Sequence, residues 1–324
     1  MPVELPSFSI IVETENLANA DIRGLARSLV GLTQQQPAPT QAREVFLIDS
    51  GDTPRQLLSD LCQLYPWLQI LEAPPGTSYY QAKMLGADQA TGDIIVYYDS
   101  DCLYPSDWLQ LMLQPFQQDP AIQVVAGETT THGRGIYGTA MAIAYIFPQF
   151  TGETQLTPTQ QYFLNNVAFR REFLLQHPIP TDLPLYRGNC VIHADRLRQQ
   201  GHTLWKQPLA RTLHAPPSSL SHFFWRFLLI GYDYYWQQRL LRQQHQHQTL
   251  PPSSDPTLVG LKGKLGIFSD RWRKMLANNP RHLLYFPLAL PIILAAASLI
   301  YGGFLITCWK PKFLLETYNQ ILGD

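Results

Sequence analysis

Two aspartates one residue apart, Asp99 and Asp101, close an apolar run from Asp93 to Tyr98. Side chains alternate along an extended chain, so carboxylates at this spacing can point the same way. Two carboxylates beside an apolar strand are costly unless a cation or hydrogen-bond donors satisfy them. A hard divalent ion with oxygen ligands is the natural partner. Such an ion bridges to a pyrophosphate and neutralises the charge that grows as a diphosphate departs. Asp-x-Asp triplets also arise in surface turns, so the position of this one decides its meaning.

That position is set by the elements around it. Short apolar runs at Phe8–Val12, Glu44–Ile48, Leu68–Leu71, Asp93–Tyr98 and Gln123–Ala126 read as strands buried on both faces. Helical patterns lie between them, at Asp21–Leu32, Pro54–Leu64, Ser78–Ala90 and Ser106–Gln117. Asp52-Thr53 before Pro54, and Ser106-Asp107 after Pro105, have the composition of helix starts. Alternating strands and helices predict an α/β layer structure with a mainly parallel sheet. Ligands of such sheets bind at the carboxyl ends of the strands, where Asp99 and Asp101 fall.

Composition narrows the classes. The chain has 324 residues, more than one ordinary domain, and 45% of them are apolar. A net charge of −1 offers nothing to a nucleic acid. Charged residues reach only 15%, low for a chain wholly in water. The four cysteines, Cys62, Cys102, Cys190 and Cys308, form no Cys-x-x-Cys pair and no disulfide framework, as expected in a reducing compartment. The first apolar run, Phe8 to Val12, is too short for a signal peptide, which predicts a cytosolic N-terminal domain.

Past Gly127 the alternation fades, and Gly127–Pro217 reads as the acceptor-side half of the same domain. Ser221–Gln244 is an aromatic, apolar helix pattern carrying Arg226, Arg239 and Arg242. Gln243–Pro256 is a Gln/His/Pro/Ser linker whose His245 and His247 are solvated sequence rather than metal ligands. Leu283 to Trp309 holds no charged residue and is long enough to cross a bilayer core of roughly 30 Å. Pro287 and Pro291 near its start are tolerated in membrane helices, and Gly302-Gly303 could mark a bend if the segment dips in and returns. Arg271, Arg273, Lys274 and Arg281 precede it, while only Lys310 and Lys312 follow. That asymmetry places the catalytic side in the cytosol, at the inner membrane. The expected organisation is a catalytic domain over 1–217, an aromatic helix and linker over 218–282, a transmembrane segment over 283–309 and a short tail over 310–324.

The order of motifs resembles glycosyltransferase family two, of the GT-A (nucleotide-diphospho-sugar transferase) fold. The likeness runs from Glu13-Thr14-Glu15-Asn16 through Ile48-Asp49-Ser50-Gly51 and Ala90-Thr91-Gly92-Asp93 to Tyr98-Asp99-Ser100-Asp101. It continues through Trp108-Leu109 and Asn165-Asn166-Val167-Ala168-Phe169-Arg170-Arg171, and ends near His214. The resemblance implies metal-dependent transfer of a hexose or related sugar, with inversion, from a UDP- or GDP-sugar, using Mn2+ or Mg2+. Glu13 and Thr14 then line the nucleotide pocket, Asp49 contacts the base, and Lys83 is a basic residue near the donor. Asp99 lies near ribose and metal, Asp101 ligates the metal directly, and His214 closes the metal or diphosphate site. Arg170 and Arg171 are placed to neutralise phosphate.

One departure stands out. The family usually carries a Glu-Asp pair before an acceptor-side helix, and its Asp serves as general base. Here the stretch reads Tyr186-Arg187-Gly188-Asn189-Cys190-Val191-Ile192-His193-Ala194-Asp195, and the acidic pair is missing. Asp182, His193 and Asp195 are the local candidates for a base within reach of an acceptor hydroxyl. Asp195 is expected to face solvent or pair with an arginine.

Other chemistries fit less well. A nicotinamide dehydrogenase needs a glycine-rich turn after its first strand, and Glu13–Asp21 contains no glycine. A phosphatase with an Asp-x-Asp nucleophile would carry it after the first strand. The rival from another class is a catalytically silent relative that binds a nucleotide or partner at the membrane. An enzyme moored beside a bilayer commonly acts on a lipid-linked or envelope acceptor, because tethering raises effective concentration. The aromatic helix could lie along the same interface.

Overall fold

The computed structural model describes residues 5–14, 22–51, 53–245 and 261–323. Glu15, Asn16, Asp21, Asp52, His247 and most of the Gln243–Pro256 linker lie outside the described residues. The chain forms two compact units. The first comprises Met1–Thr129, Gly152–Thr181 and Leu197–Leu213, and the second Thr130–Thr151, Asp182–Arg196 and His214–Asp324.

The first unit is built on a nine-stranded sheet. Its strands β1 (Phe8–Glu13), β2 (Val45–Asp49), β3 (Leu68–Glu72) and β4 (Ile94–Tyr97) are the expected apolar runs. They pair in parallel in the order β3-β2-β1-β4. Their connections are α1 (Ile22–Thr33), α2 (Arg55–Leu64) and α3 (Tyr79–Gln89), each within a residue or two of its sequence pattern. After β4 come β5 (Cys102–Leu103), α4 (Trp108–Gln118) and β6 (Val124–Thr131).

Both faces of β1, β2 and β4 are covered, which is why they read as unbroken apolar runs, whereas β3, at the edge of the sheet, leaves Gln69 and Glu72 exposed. On one face Leu25 and Leu29 of α1, with Trp108 and Met112 of α4, pack on Ile10, Val12 and Val96. On the other, α3 lies close to β1; a Cβ at Gly86 would stand 2.6 Å from Ile11 Cγ2. The remaining strands are β7 (Thr157–Thr159), β8 (Val167–Arg170) and β9 (Leu204–His214), with the short α6 (Arg171–Gln176) after β8. Strand β8 inserts antiparallel between β4 and β6, so the sheet is mixed beyond β4.

The second unit is mainly helical. It contains α5 (Gly135–Ala144), most of α7 (Asn189–Gln199), α8 (Leu220–His245), α9 (Leu261–Asn278), α10 (His282–Trp309) and α11 (Phe313–Gly323). Helix α10 is long and apolar enough to cross a membrane, and both Pro287 and Pro291 lie within it. It meets α8 at two glycines: a Cβ at Gly231 would run into Ile300 O, and one at Gly303 into Leu228 O. Small residues let the two backbones touch.

Candidate functional site

Strand β1 lies between β2 and β4, and the chain order reverses across it. Connections therefore leave in opposite directions from the carboxyl ends of β1 and β4, opening the crevice where α/β sheets bind ligands. Glu13, Thr14, Asp49, Asp99 and Asp101 all fall at these strand ends.

The end of β4 is fixed with unusual completeness. Helix α3 starts with a capping box in which Ser78 N donates to Gln81 Oε1 at 2.9 Å. The cap sets the phase of the helix, so that Tyr79 and Lys83, four residues apart, share its inner face. Lys83 is wholly buried. Its Nζ donates to Asp99 Oδ1 at 2.6 Å, to Tyr98 O at 2.8 Å and to Ile11 O at 3.3 Å. The Tyr79 hydroxyl donates to Asp99 Oδ2 at 2.8 Å. Asp99 N donates to the Tyr104 hydroxyl at 2.9 Å, and that hydroxyl donates to Asn165 O at 2.7 Å. Asp99 is thus a neutralised, hydrogen-bonded carboxylate, the form in which a buried charge is tolerated.

Asp101 is half-exposed. Cys102 Sγ lies 3.5 Å from its Oδ1. Burial, reinforced by the charges of Asp101 and Asp99, pushes the Cys102 thiol well above its ordinary range. Burial also raises the Tyr104 phenol, which keeps the proton it donates to Asn165 O. Of the two aspartates, Asp101 is the more exposed.

Thr14 ties the ends of β1 and β2 together. Its hydroxyl is 3.1 Å from Asp49 Oδ1 and accepts the Ser50 N–H at 3.3 Å. Gly51 follows with φ of 94°, a left-handed turn that glycine adopts without strain. Among the described residues, the hydroxyls of Ser50, Thr53 and Ser100 are buried with no protein partner. Leaving a buried hydroxyl unpaired costs about 1–3 kcal/mol, so such groups after β2 and β4 fit a polar ligand or ordered water. Carboxylate and hydroxyl oxygens, such as those of Asp101 and Ser100 after β4, are ligand types that suit a hard cation and a phosphate.

Of the other expected residues, Arg170 and Arg171 lie away from these strand ends. Arg170 pairs with Ile94, the first residue of β4, at the opposite end of the strand from Asp99. Its guanidinium donates to Ile122 O and Phe116 O, both at 2.9 Å, and lies over the Phe116 ring. The expectation that it neutralises donor phosphate is corrected: the antiparallel direction of β8 carries it away from the crevice. Arg171 likewise donates to Asp88 O. Asp182, His193, Asp195 and His214 belong to the second unit. Asp182 is exposed, whereas His193 is buried. Asp195 does not face solvent; it is buried, with Oδ2 3.0 Å from His245 Nε2. His214 ends β9, its ring 4.5 Å from that of Phe147 and its Nδ1 2.6 Å from Ala215 O.

Tyr79, Tyr104 and the three hydroxyls were not singled out from sequence. The spacing of Tyr79 and Lys83 behind a Ser-x-x-Gln cap was a readable signal for the first of them.

Residues 9–177 match the model of glycosyl transferase family 2. Polypeptide N-acetylgalactosaminyltransferase 11 of Xenopus tropicalis is 27% identical over 139 residues, 40% of this chain and 22% of that protein. Polypeptide N-acetylgalactosaminyltransferase 10 of Homo sapiens is 31% identical over 112 residues, 34% of this chain and 18% of that protein. The chain therefore spans about a fifth of the length of these curated relatives. Among solved structures, the mannosyltransferase PcManGT from Pyrobaculum calidifontis, in complex with GDP-Man and Mn2+, superimposes with a TM-score of 0.55 at 18% identity. That match covers 99% of this chain and 86% of the other. GalNAc-T7 with UDP, GalNAc and Mn2+ gives 0.53 at 16% identity, over 86% and 58% of the two chains. At such identities the likeness is one of fold, the GT-A fold.

Proposed function

This chain belongs to glycosyl transferase family 2, and on that premise we propose that it moves a sugar from a UDP- or GDP-sugar to a lipid-linked or cell-envelope acceptor. The observation that carries the reading is the contrast between the two aspartates at the end of β4. Asp99 is anchored by Lys83 and Tyr79, and Asp101 is left presented at the crevice.

Asp101 would hold a divalent ion, Mn2+ or Mg2+, at the crevice. Bound there, the ion supplies neutralisation of the charge that grows on the leaving diphosphate. The chain's own residues supply position. Lys83 cancels the charge of Asp99, which would otherwise repel the phosphates. Asp49, oriented by Thr14, accepts an N–H of the base. Of the two carboxylates considered as general base, Asp195 is engaged by His245, so Asp182 is the residue to test for accepting the acceptor's proton. The apolar helix α10 supports mooring at a membrane, with the catalytic side in the cytosol as the basic residues Arg271, Arg273, Lys274 and Arg281 predict.

The test is turnover. Detergent-solubilised protein is given a panel of UDP- and GDP-sugars with a membrane lipid extract, and nucleoside diphosphate release is followed. Metal-dependent release that requires the extract supports a lipid-linked acceptor. The missing Glu-Asp pair before α7 favours a second reading, a silent family member; binding of a nucleotide without turnover of any donor would select it.

A further inference from the structure

Helix α10 is 28 residues long, or about 42 Å. One line of it, His282, Ala289, Ala296, Gly303 and Thr307, is buried. The rest is largely open and apolar; Leu284 is 76% exposed and Trp309 90%. The covered line follows the body of the second unit from end to end. At the start, His282 Nδ1 is 2.8 Å from Thr139 Oγ1 of α5, and Phe286 and Ile293 pack against Ala142 and Ile143. Towards the end of the helix, Gly303 meets Leu228 of α8. Beyond its end, Trp236 Nε1 of α8 donates to Pro311 O at 3.1 Å.

The flanking helices close a second path. Arg271 of α9 donates to Ile143 O at 2.7 Å and to Tyr145 O. The Tyr145 hydroxyl accepts from Arg226 Nε of α8 at 2.9 Å. The Arg226 guanidinium lies over the ring of Tyr186, whose hydroxyl is 3.2 Å from that of Tyr318 in α11. A continuous chain of side chains thus joins the helix before α10 to the helix after it. If α10 crossed a bilayer, α9 and α11 would stand on opposite sides, and this chain, Arg226 included, would run through hydrocarbon. A charged side chain there costs several kcal/mol.

We propose that α10 does not cross the membrane but lies in the plane of one leaflet. Its open face sits among the acyl chains, and α9 and α11 remain on the same side. The protein body covers the face that a free interfacial helix would leave polar. The bilayer is the occupant that a charge-free helix with so broad an open face fits; a second copy of the chain is an outcome of the test.

The experiment uses the full chain with Ser269→Cys on α9 and Asn319→Cys on α11, both exposed positions, in a Cys62→Ser, Cys308→Ser background. The protein is reconstituted into sealed phosphatidylethanolamine–phosphatidylglycerol vesicles and treated with a membrane-impermeant maleimide that adds a fixed mass. An in-plane helix predicts molecules labelled twice or not at all, whatever their orientation, and all labelled twice after detergent. Singly labelled molecules in intact vesicles, becoming doubly labelled in detergent, would mean that α10 crosses and would overturn the proposal. Failure to float with the vesicles, or a stable lipid-free dimer that hides α10, would overturn the bilayer as occupant.

Discussion

Lys83 Nζ stands 2.6 Å from Asp99 Oδ1, and the two side chains are almost completely shielded from solvent. An aspartate that resemblance places near the metal is thereby satisfied from inside the protein. Removing one partner of a buried ion pair typically costs about 3–5 kcal/mol, because the other charge is left uncompensated. Lys83→Met should therefore destabilise the protein strongly. Lys83→Met with Asp99→Asn should recover part of that loss, a non-additivity that denaturant titration of the two single variants and the double variant would read. Additive losses would mean that the pair is not coupled.

Arg170 makes its hydrogen bonds to backbone carbonyls of α4 and of the α4–β6 connection. Arg170→Ala should lower stability by about 2 kcal/mol while leaving nucleoside diphosphate affinity within twofold of the parent. Isothermal titration beside thermal melting separates the two effects. A large loss of affinity at normal stability would return Arg170 to the donor site.

Burial raises the Asp233 carboxyl to about 7, although the N–H groups of Tyr186 and Arg187, at 2.7 and 2.9 Å, favour its charged form. A carboxyl whose folded value exceeds its unfolded value of 3.8 binds its proton more tightly when folded. Its contribution to stability is fully present below about 4 and is lost as pH rises through about 7. The melting temperature of the parent should fall relative to Asp233→Asn across that window. A constant difference between the two would show that Asp233 does not titrate there.

Two neighbouring glycines of α10 should behave oppositely. A Cβ at Gly303 collides with Leu228 O, whereas one at Gly302 meets nothing within 4 Å. Gly303→Ala should cost about 1–3 kcal/mol by forcing α8 and α10 apart. Gly302→Ala should be neutral or stabilising, since alanine is the better helix former. Equal effects in thermal melting would contradict the close crossing.

The parallel half of the sheet was legible because strands buried on both faces are unbroken apolar runs, as in β1 and β4. The helices between them announced themselves by periodicity, although Ser106-Asp107 starts α4 without a side-chain cap. Strand β8 was not readable as a strand. Its four residues carry no turn signal, and nothing local fixes the direction in which it pairs. That direction decided the fate of Arg170. Helix α5 lies in a Gly- and Thr-rich stretch whose composition reads as loop; it depends on Gly133 and Gly138 packing backbone to backbone. At the candidate site the acidic residues were visible as types and spacing. The burial of Lys83 was not, because a lysine four residues after a tyrosine looks the same on a wet helix as on a dry one.

The central claim is a nucleotide site built on Asp101, and its most direct test is thermal stabilisation of the detergent-solubilised protein. UDP, GDP and other nucleoside diphosphates are each added with and without Mn2+ or Mg2+, to the parent and to Asp101→Asn. A ligand at a hundredfold excess over its Kd adds about 2.7 kcal/mol to the folded state, a readable shift. The account predicts a metal-dependent shift with at least one nucleotide, lost in Asp101→Asn. A shift that survives in Asp101→Asn, or none with any nucleotide, would contradict it.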